Sequence, residues 1–374
     1  MFIHRVKLRN LLSFGPESQQ LELKPLNVLI GPNGAGKSNL MEAVGLLKAV
    51  PGRLIEPIIE GGGMGDWIWR GEPKATAAEV EAVLAGPNGK PLRYRLVVAG
   101  DPGGFRIAEE RLEDEGSQGR RVYLQADDTT SHVGPREVGH HTQQSVLATF
   151  KHPDHPELEH LSNQLTRIAL FREWSFGRNH PVRMPQKPDL PNDFLMEDAR
   201  NLGLVLNQLM REYDVRNRIV EALQSFYEGV RDYHVDIQYG TVQTFLREGK
   251  MSVPATRLSD GTLRYLCLLT ILCHPNPPPL ICLEEPELGL HPDVLPDLVE
   301  LMRKASDRCQ LVVTTHSDVI VDALTDTPDS VVVCEKHDGS TTLKRLDASE
   351  LGHWLDDYRL GELWSSGELG GNRW

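Results

Sequence analysis

The chain has 374 residues, 40% of them hydrophobic and 25% charged, with 53 acids against 40 bases for a formal charge of -13. Such usage is ordinary for a globular chain and excludes disorder of the bulk, and glycines without a G-x-y period exclude collagen. An acidic surface argues against a coat of nucleic acid over the whole chain, leaving only a local basic patch, and no apolar run approaches the roughly 20 residues that span a bilayer.

The opening residues, Met1 to Asn10, read as a strand and carry neither the h-region nor the cleavage site of a signal peptide. A cytoplasmic chain with no membrane partner is expected. The five cysteines, Cys267, Cys273, Cys282, Cys309 and Cys334, all fall in the second half without a CxxC pair. An odd count at such spacing points to buried thiols in a reducing compartment, not to disulfides or structural zinc.

Partial alternation of Ile3, Val6 and Leu8, and of Leu21 and Leu23, predicts strands within 1–30, and the mostly apolar run from Leu26 to Ile30 predicts a buried one. A Gly-rich turn over 31–36 leads into a helix from Lys37, with Leu40, Val44 and Leu47 on one face and Met41 beside them. Residues 51–75 are rich in Gly and Pro, carry Trp67 and Trp69, and read as irregular. Val80, Ala82 and Leu84 precede the turn from Gly86 to Gly89, and Tyr94, Leu96 and Val98 follow it, so 78–125 reads as an antiparallel meander.

Residues 126–156 are polar, and six of the 14 histidines lie between His132 and His160. Helical patterns cover 157–170, 198–212 and 215–228, with a Pro-rich linker from Pro181 to Pro191 between them. From residue 258 helix and apolar strand alternate: helix 261–273, strand Leu280 to Leu283, helix 293–305, strand Leu311 to Thr314, helix 317–324, strand Val331 to Val333. This order predicts an α/β chain with a parallel sheet wrapped by helices.

Gly31-Pro32-Asn33-Gly34-Ala35-Gly36-Lys37-Ser38 matches G-x-x-x-x-G-K-[ST] in full, between a strand and a helix as the motif requires. Its glycines let backbone N–H groups close around phosphate oxygens at a helix N-terminus. Lys37 is expected on the β- and γ-phosphates and the Ser38 hydroxyl on Mg²⁺. Asn33, Gly34, Ala35, Gly36, Lys37, Ser38 and the following Asn39 are the candidate nucleotide-binding residues. Further on, an apolar strand ends in Glu284, Glu285, Pro286 and Glu287. A carboxylate at that edge can hold the metal shell while its neighbour activates water, and Glu284 is assigned to the metal and Glu285 to the water. Ser259, in Arg257-Leu258-Ser259-Asp260-Gly261-Thr262, also reads as a plain N-cap. His316 stands at the end of the following strand.

These elements, in this order, resemble the ABC-type ATPases of the RecF, SMC and OLD branch, above all its compact bacterial ATPases without a coiled coil. The resemblance covers about 1–50 and 255–335. The N-terminus through Asn10, Ser13 and Phe14 looks like the opening strand of RecF and SMC heads. Leu258 to Thr262 looks like the ABC signature, Glu287 to Pro292 like a D-loop, and His316 like the switch histidine that senses the γ-phosphate. Asp260 stands where signatures usually carry Gly, and Glu284 where Walker B motifs usually carry Asp. A Q-loop glutamine is expected between meander and helices, with Gln144 preferred over Gln143.

The resemblance implies an ABC-type P-loop fold with a mixed core sheet, a meander and an inserted helical region. The implied division is 1–125, 126–257 and 258–374. It implies Mg-dependent ATP hydrolysis in which two heads sandwich two nucleotides, so Ser259 and Gly261 of one copy contact ATP held by the P-loop of the other. A homodimer or higher homo-oligomer is therefore expected. The implied biological role is anti-phage or anti-plasmid defence beside a separate effector protein. The alternatives are RecF-like DNA maintenance and a nucleotide-gated scaffold with negligible turnover. Nucleic acid is a further candidate partner, through Arg178, His180, Arg183 and Lys187 or through Arg211, Arg216 and Arg218. The histidine cluster fits no common closed metal site and reads as a solvated loop. Trp354, Trp364 and Trp374 sit in a Gly-rich tail, either docked on its own domain or serving as an interface anchor.

Overall fold

The computed structural model describes residues 1–371 apart from 18, 72, 73, 103, 117–120, 173, 175 and 353. The chain divides into two compact units, Met1–Ile168 with Thr327–Trp374, and Ala169–Asp326.

In the first unit Leu26–Ile30 is buried at all five positions, Asn27 included, as expected of a mostly apolar strand covered on both faces. It pairs in parallel with Val331–His337, with Val28 opposite Val331 and Ile30 opposite Val333. Ser340–Arg345 closes that edge antiparallel. The helix Lys37–Ala49 buries Leu40, Met41, Val44 and Leu47, the face read from its spacing.

An antiparallel eight-stranded sheet runs in the order Gln19–Glu22, Ile3–Arg9, Ala77–Ala85, Pro91–Asp101, Gly104–Asp114, Val122–Ala126, Ser131–Val133 and Arg136–Glu137. Alternate residues of Ala77–Ala85 and Pro91–Asp101 are buried, and charged residues in the alternate positions form cross-strand pairs. Glu115 takes Arg5 and Arg93 at 2.7 Å each, and Arg95 bridges Glu79 at 2.9 Å and Glu109 at 2.8 Å.

The second unit holds three parallel strands, Ala169–Phe171, Leu280–Glu284 and Gln310–Thr314, in that order. It also holds an antiparallel sheet of Val230–Gln238, Thr241–Glu248 and Met251–Pro254. The predicted helices appear as Leu202–Leu209, Tyr213–Phe226, Asp260–Leu272, Leu295–Ser306 and Asp318–Asp322. Asp260–Leu272 is buried nearly all round from Leu263 onward, as befits a helix apolar on every side.

The unit boundaries fall at 168/169 and 326/327, away from the 125/126 and 257/258 divisions read from the sequence. Ser131–Val133 and Arg136–Glu137 extend the large sheet, and Val331–His337 pairs back on Leu26–Ile30. Those pairings carry 126–168 and the last residues into the first unit. Residues 51–75, read as irregular, contain the short helices Ile55–Glu60 and Met64–Trp67. Trp67 and Trp69 anchor them, at 2% and 6% exposure.

All five cysteines are free and buried, and burial pushes the Cys334 thiol up to about 12. Among the described residues no three His, Cys, Asp or Glu side chains gather as a metal cage, and no helix is long and apolar enough to cross a membrane. In the tail, Leu360–Ser366 is a helix whose Leu360, Leu363 and Trp364 point inward. Trp364 Nε1 donates to Gly371 O at 3.0 Å, and Gly371 N donates to Glu335 Oε1 at 2.7 Å. This part of the tail is docked on its own unit. Trp354 is 49% exposed, and Trp374 lies outside the described residues.

Candidate functional site

The P-loop leaves the end of Leu26–Ile30 through Gly31, whose φ of 145° and position would put a Cβ 2.2 Å from Cys334 O. Gly34, at φ 77°, faces open space, which is the cradle a phosphate needs. The helix Lys37–Ala49 starts at Gly36 with no side-chain cap, so the positive end of its dipole is presented to an external anion. Lys37 is 6% exposed, and its Nζ donates to Gly31 O at 2.8 Å and Pro32 O at 3.1 Å. Asn33 and Gly34 are exposed, Ala35 is buried, and Ser38 lies in the first turn of the helix.

The loop is braced from behind. Thr341 Oγ1 lies 2.7 Å from Ser13 Oγ and 2.9 Å from Ala35 O, and Thr341 N donates to Ser13 O at 2.8 Å. Asn39 Nδ2 donates to the same Ser13 hydroxyl at 2.7 Å. A Cβ on Gly36 would meet Thr341 Oγ1 at 2.2 Å, so only glycine fits there. Ser13 stood in a stretch the sequence already singled out. Thr341, more than three hundred residues away, carried no local signal.

Gln144 is exposed just ahead of the helix Val146–Thr149. Its neighbour Ser145 is held by Glu110, a fully buried carboxylate that accepts Ser145 Oγ at 2.5 Å, Val146 N at 2.9 Å and Tyr94 OH at 2.9 Å. Burial raises the Glu110 carboxyl above its usual range despite these three donors.

In the second unit Glu284 ends its strand, and Arg172 Nε donates to its Oε2 at 3.1 Å. The chain then turns sharply, because Glu285 adopts a left-handed φ of 44°. Its N–H is within reach of Thr314 O at 3.1 Å and Thr314 Oγ1 at 3.2 Å. Such a conformation in a non-glycine residue persists only where neighbours impose it, and it concentrates at functional sites. Glu285 Oε1 lies 3.5 Å from His316 Nε2.

Glu287 accepts Thr315 Oγ1 at 2.6 Å and His316 N at 2.9 Å on one oxygen. Its other oxygen is buried without a hydrogen-bond partner, and burial raises its carboxyl above the usual range. Ser259 caps the helix Asp260–Leu272, accepting Thr262 N at 3.0 Å, so the plain capping role is present. Gly261 packs on the D-loop, where a Cβ would meet Gly289 O at 2.4 Å. Sequence reasoning gave no role to Arg172 or Thr315, and placed Glu287 only at the start of the D-loop-like stretch. Glu287 was legible as an acid next to the assigned pair, whereas Arg172 is visible only through strand pairing.

The residues present fit a magnesium nucleotide. The open face at Gly34 and the uncapped helix suit a polyphosphate. Beside them in the first unit, the Ser38 hydroxyl is an oxygen ligand of the kind Mg²⁺ takes while keeping phosphates and waters in its shell.

The basic residues separate by environment. Arg183 is buried and Arg216 pairs with Asp232, while Arg178, Lys187, Arg211 and Arg218 are exposed.

Residues 26–322 match the family described as "AAA domain, putative AbiEii toxin, Type IV TA system". The chain belongs to this family. No protein of curated function matches the sequence. Among solved structures, an SMC head bound to the C-winged helix domain of ScpA is 14% identical, with TM-score 0.62, covering 94% of this chain and 99% of that one. The SMC head with an extended coiled coil from Pyrococcus furiosus, bound to the C-terminal domain of ScpA, is 14% identical with TM-score 0.61, covering 95% and 99%. The SMC head with a coiled coil and joint from Pyrococcus yayanosii is 12% identical with TM-score 0.54, covering 95% and 99%. The AbiEii-type chain thus has the fold of an SMC head domain. It is an ATP-hydrolysing P-loop ATPase.

Proposed function

We propose that this ATPase works by nucleotide-driven association of two heads. Lys37 and the backbone of 33–38 would hold the phosphates, Ser38 and Glu284 would supply oxygen ligands to Mg²⁺, and Gln144 is the candidate glutamine for that nucleotide. Glu285 takes a proton from the attacking water, and His316 orients both. Bound Mg²⁺ would neutralise charge on the phosphate oxygens. Ser259 and Gly261 act across the interface on nucleotide held by the other copy. The observation that carries this reading is Glu285, left-handed at a strand end, with His316 Nε2 at 3.5 Å. The pair resembles a water-activating base beside a group that holds its geometry. The test is self-association of Glu285→Gln with and without ATP by sedimentation: a nucleotide-dependent dimer supports the reading, and a chain monomeric in both conditions contradicts it.

The biological role proposed is defence against phage or plasmids in the cytoplasm, with a separate effector protein. The family description, which names a toxin of a type IV toxin–antitoxin system, supports it. A DNA-maintenance role is the second reading, favoured by the SMC-head fold. Stimulation of turnover by DNA would select the second reading, and co-purification with an effector would select the first.

A further inference from the structure

Arg183 belongs to the Pro-rich segment whose basic residues looked like surface groups for nucleic acid. Its side chain is instead 7% exposed. Nε donates to Phe176 O at 2.7 Å, Nη1 reaches Leu258 O at 2.6 Å and Ala255 O at 3.3 Å, and Nη2 pairs with Asp260 Oδ1. The planar fork therefore brackets Ser259, taking the carbonyl before it and the carboxylate after it. Arg suits this task because its five donors are fixed in one plane.

The two charges sit in different surroundings. Arg183 is inside, whereas the Asp260 side chain is 69% exposed. Asp260 is also the first residue of the helix Asp260–Leu272, where its carboxylate occupies the positive end of the dipole. A bare carboxylate there would repel an approaching phosphate.

We propose that Arg183 is a positioning residue for ATP contact at the Ser259 loop: it fixes the loop backbone and cancels the Asp260 charge, so that a phosphate can approach Ser259 and Gly261. The proposal rests on the two-head reading above. It also gives Asp260 a defined place, as the acid that compensates a buried cation.

The experiment uses the full chain in the Glu285→Gln background. It measures ATP-dependent self-association by sedimentation and binding of a fluorescent ATP analogue to the separate chains. Arg183→Met keeps length and loses charge. It should leave analogue binding within about twofold and weaken association by about tenfold or more. Asp260→Asn should associate within about threefold of the parent, and Arg183→Met with Asp260→Asn should recover a large part of the loss, a coupling read from the cycle. A merely structural Arg183 would leave the double variant as weak as Arg183→Met, and that outcome overturns the proposal, as does parent-like association of Arg183→Met.

Should Arg183→Met not fold, Arg183→Gln and Arg183→Lys carry the comparison. The Gln variant should associate more weakly than the Lys variant, and the reverse order overturns the charge argument. Ser259→Arg in the same background separates the two levels. Its failure to associate, with Arg183→Met unimpaired, refutes the Arg183 role and leaves the two-head reading standing. Parent-like association of Ser259→Arg refutes both.

Discussion

Glu287 takes the Thr315 hydroxyl at 2.6 Å and the His316 backbone N–H at 2.9 Å on a single carboxylate oxygen. The segment that leaves the acidic strand is thereby tied to the segment that presents His316. The 3.5 Å separation of His316 Nε2 and Glu285 Oε1 is held by backbone anchors on both sides, since Glu285 N is itself fixed on Thr314.

Glu285→Gln keeps the size and the hydrogen-bonding shape of the side chain and loses its basicity. ATP binding should stay close to the parent while turnover falls by about 10²–10⁴-fold. Single-turnover hydrolysis by the variant checks this. Undiminished turnover would move the base elsewhere, with Glu284 the first residue to examine.

Lys37→Ala removes the ammonium at the P-loop. Loss of charge-assisted contacts to phosphate should weaken ATP binding by about 1.5–3 kcal/mol, roughly 10–100-fold. Calorimetric titration with ATP reads the difference. An unchanged affinity would place the nucleotide elsewhere on the chain.

Much of this site could be read locally. The strand before the P-loop is apolar at four of its five positions, with Asn27 the exception, and the helix after it shows its buried face by spacing alone. Glu284, Glu285 and His316 each follow an apolar strand, so their placement at strand ends needed no tertiary information. The brace of Ser13 and Thr341 was hidden because it joins distant segments through two hydroxyls. Arg183 was misread for a physical reason: a basic residue among prolines is ordinarily solvated, and only the fold shows three carbonyls and a carboxylate converging on it. The first compact unit was also hidden, because its closing strand, Val331–His337, returns after the whole of the second.

Glu110 should show a pH-dependent contribution to stability. In Glu110→Gln the amide offers one acceptor and turns an N–H₂ toward existing donors, so stability should fall by about 1–3 kcal/mol. Burial raises the folded-state pKa of Glu110 above 4.5. The unfolded chain therefore ionises first as pH rises, and the parent loses stability from there up to the raised value. The gap between parent and variant should be widest below pH 4.5 and narrow as pH rises toward that value. Denaturant unfolding across this range measures it, and a gap that widens with pH contradicts the assignment.

The docked tail makes a stability claim. Trp364 is 1% exposed and bonded to Gly371 O, so Trp364→Ala should cost about 3–5 kcal/mol. Trp354→Ala, at an exposed site, should stay within about 0.5 kcal/mol. Thermal unfolding of both variants decides the matter, and equal melting temperatures for parent and Trp364→Ala would show that the contact contributes nothing.

The composite site is tested most directly by mixing two inactive chains. Ser259→Arg retains its P-loop and Lys37→Ala retains its Ser259 loop, so a mixed dimer holds one site with both motifs intact. ATP hydrolysis measured on an equimolar mixture, under conditions where subunits exchange, should rise well above either variant alone. A mixture no more active than its two components, with exchange independently demonstrated, would contradict a site built from two heads.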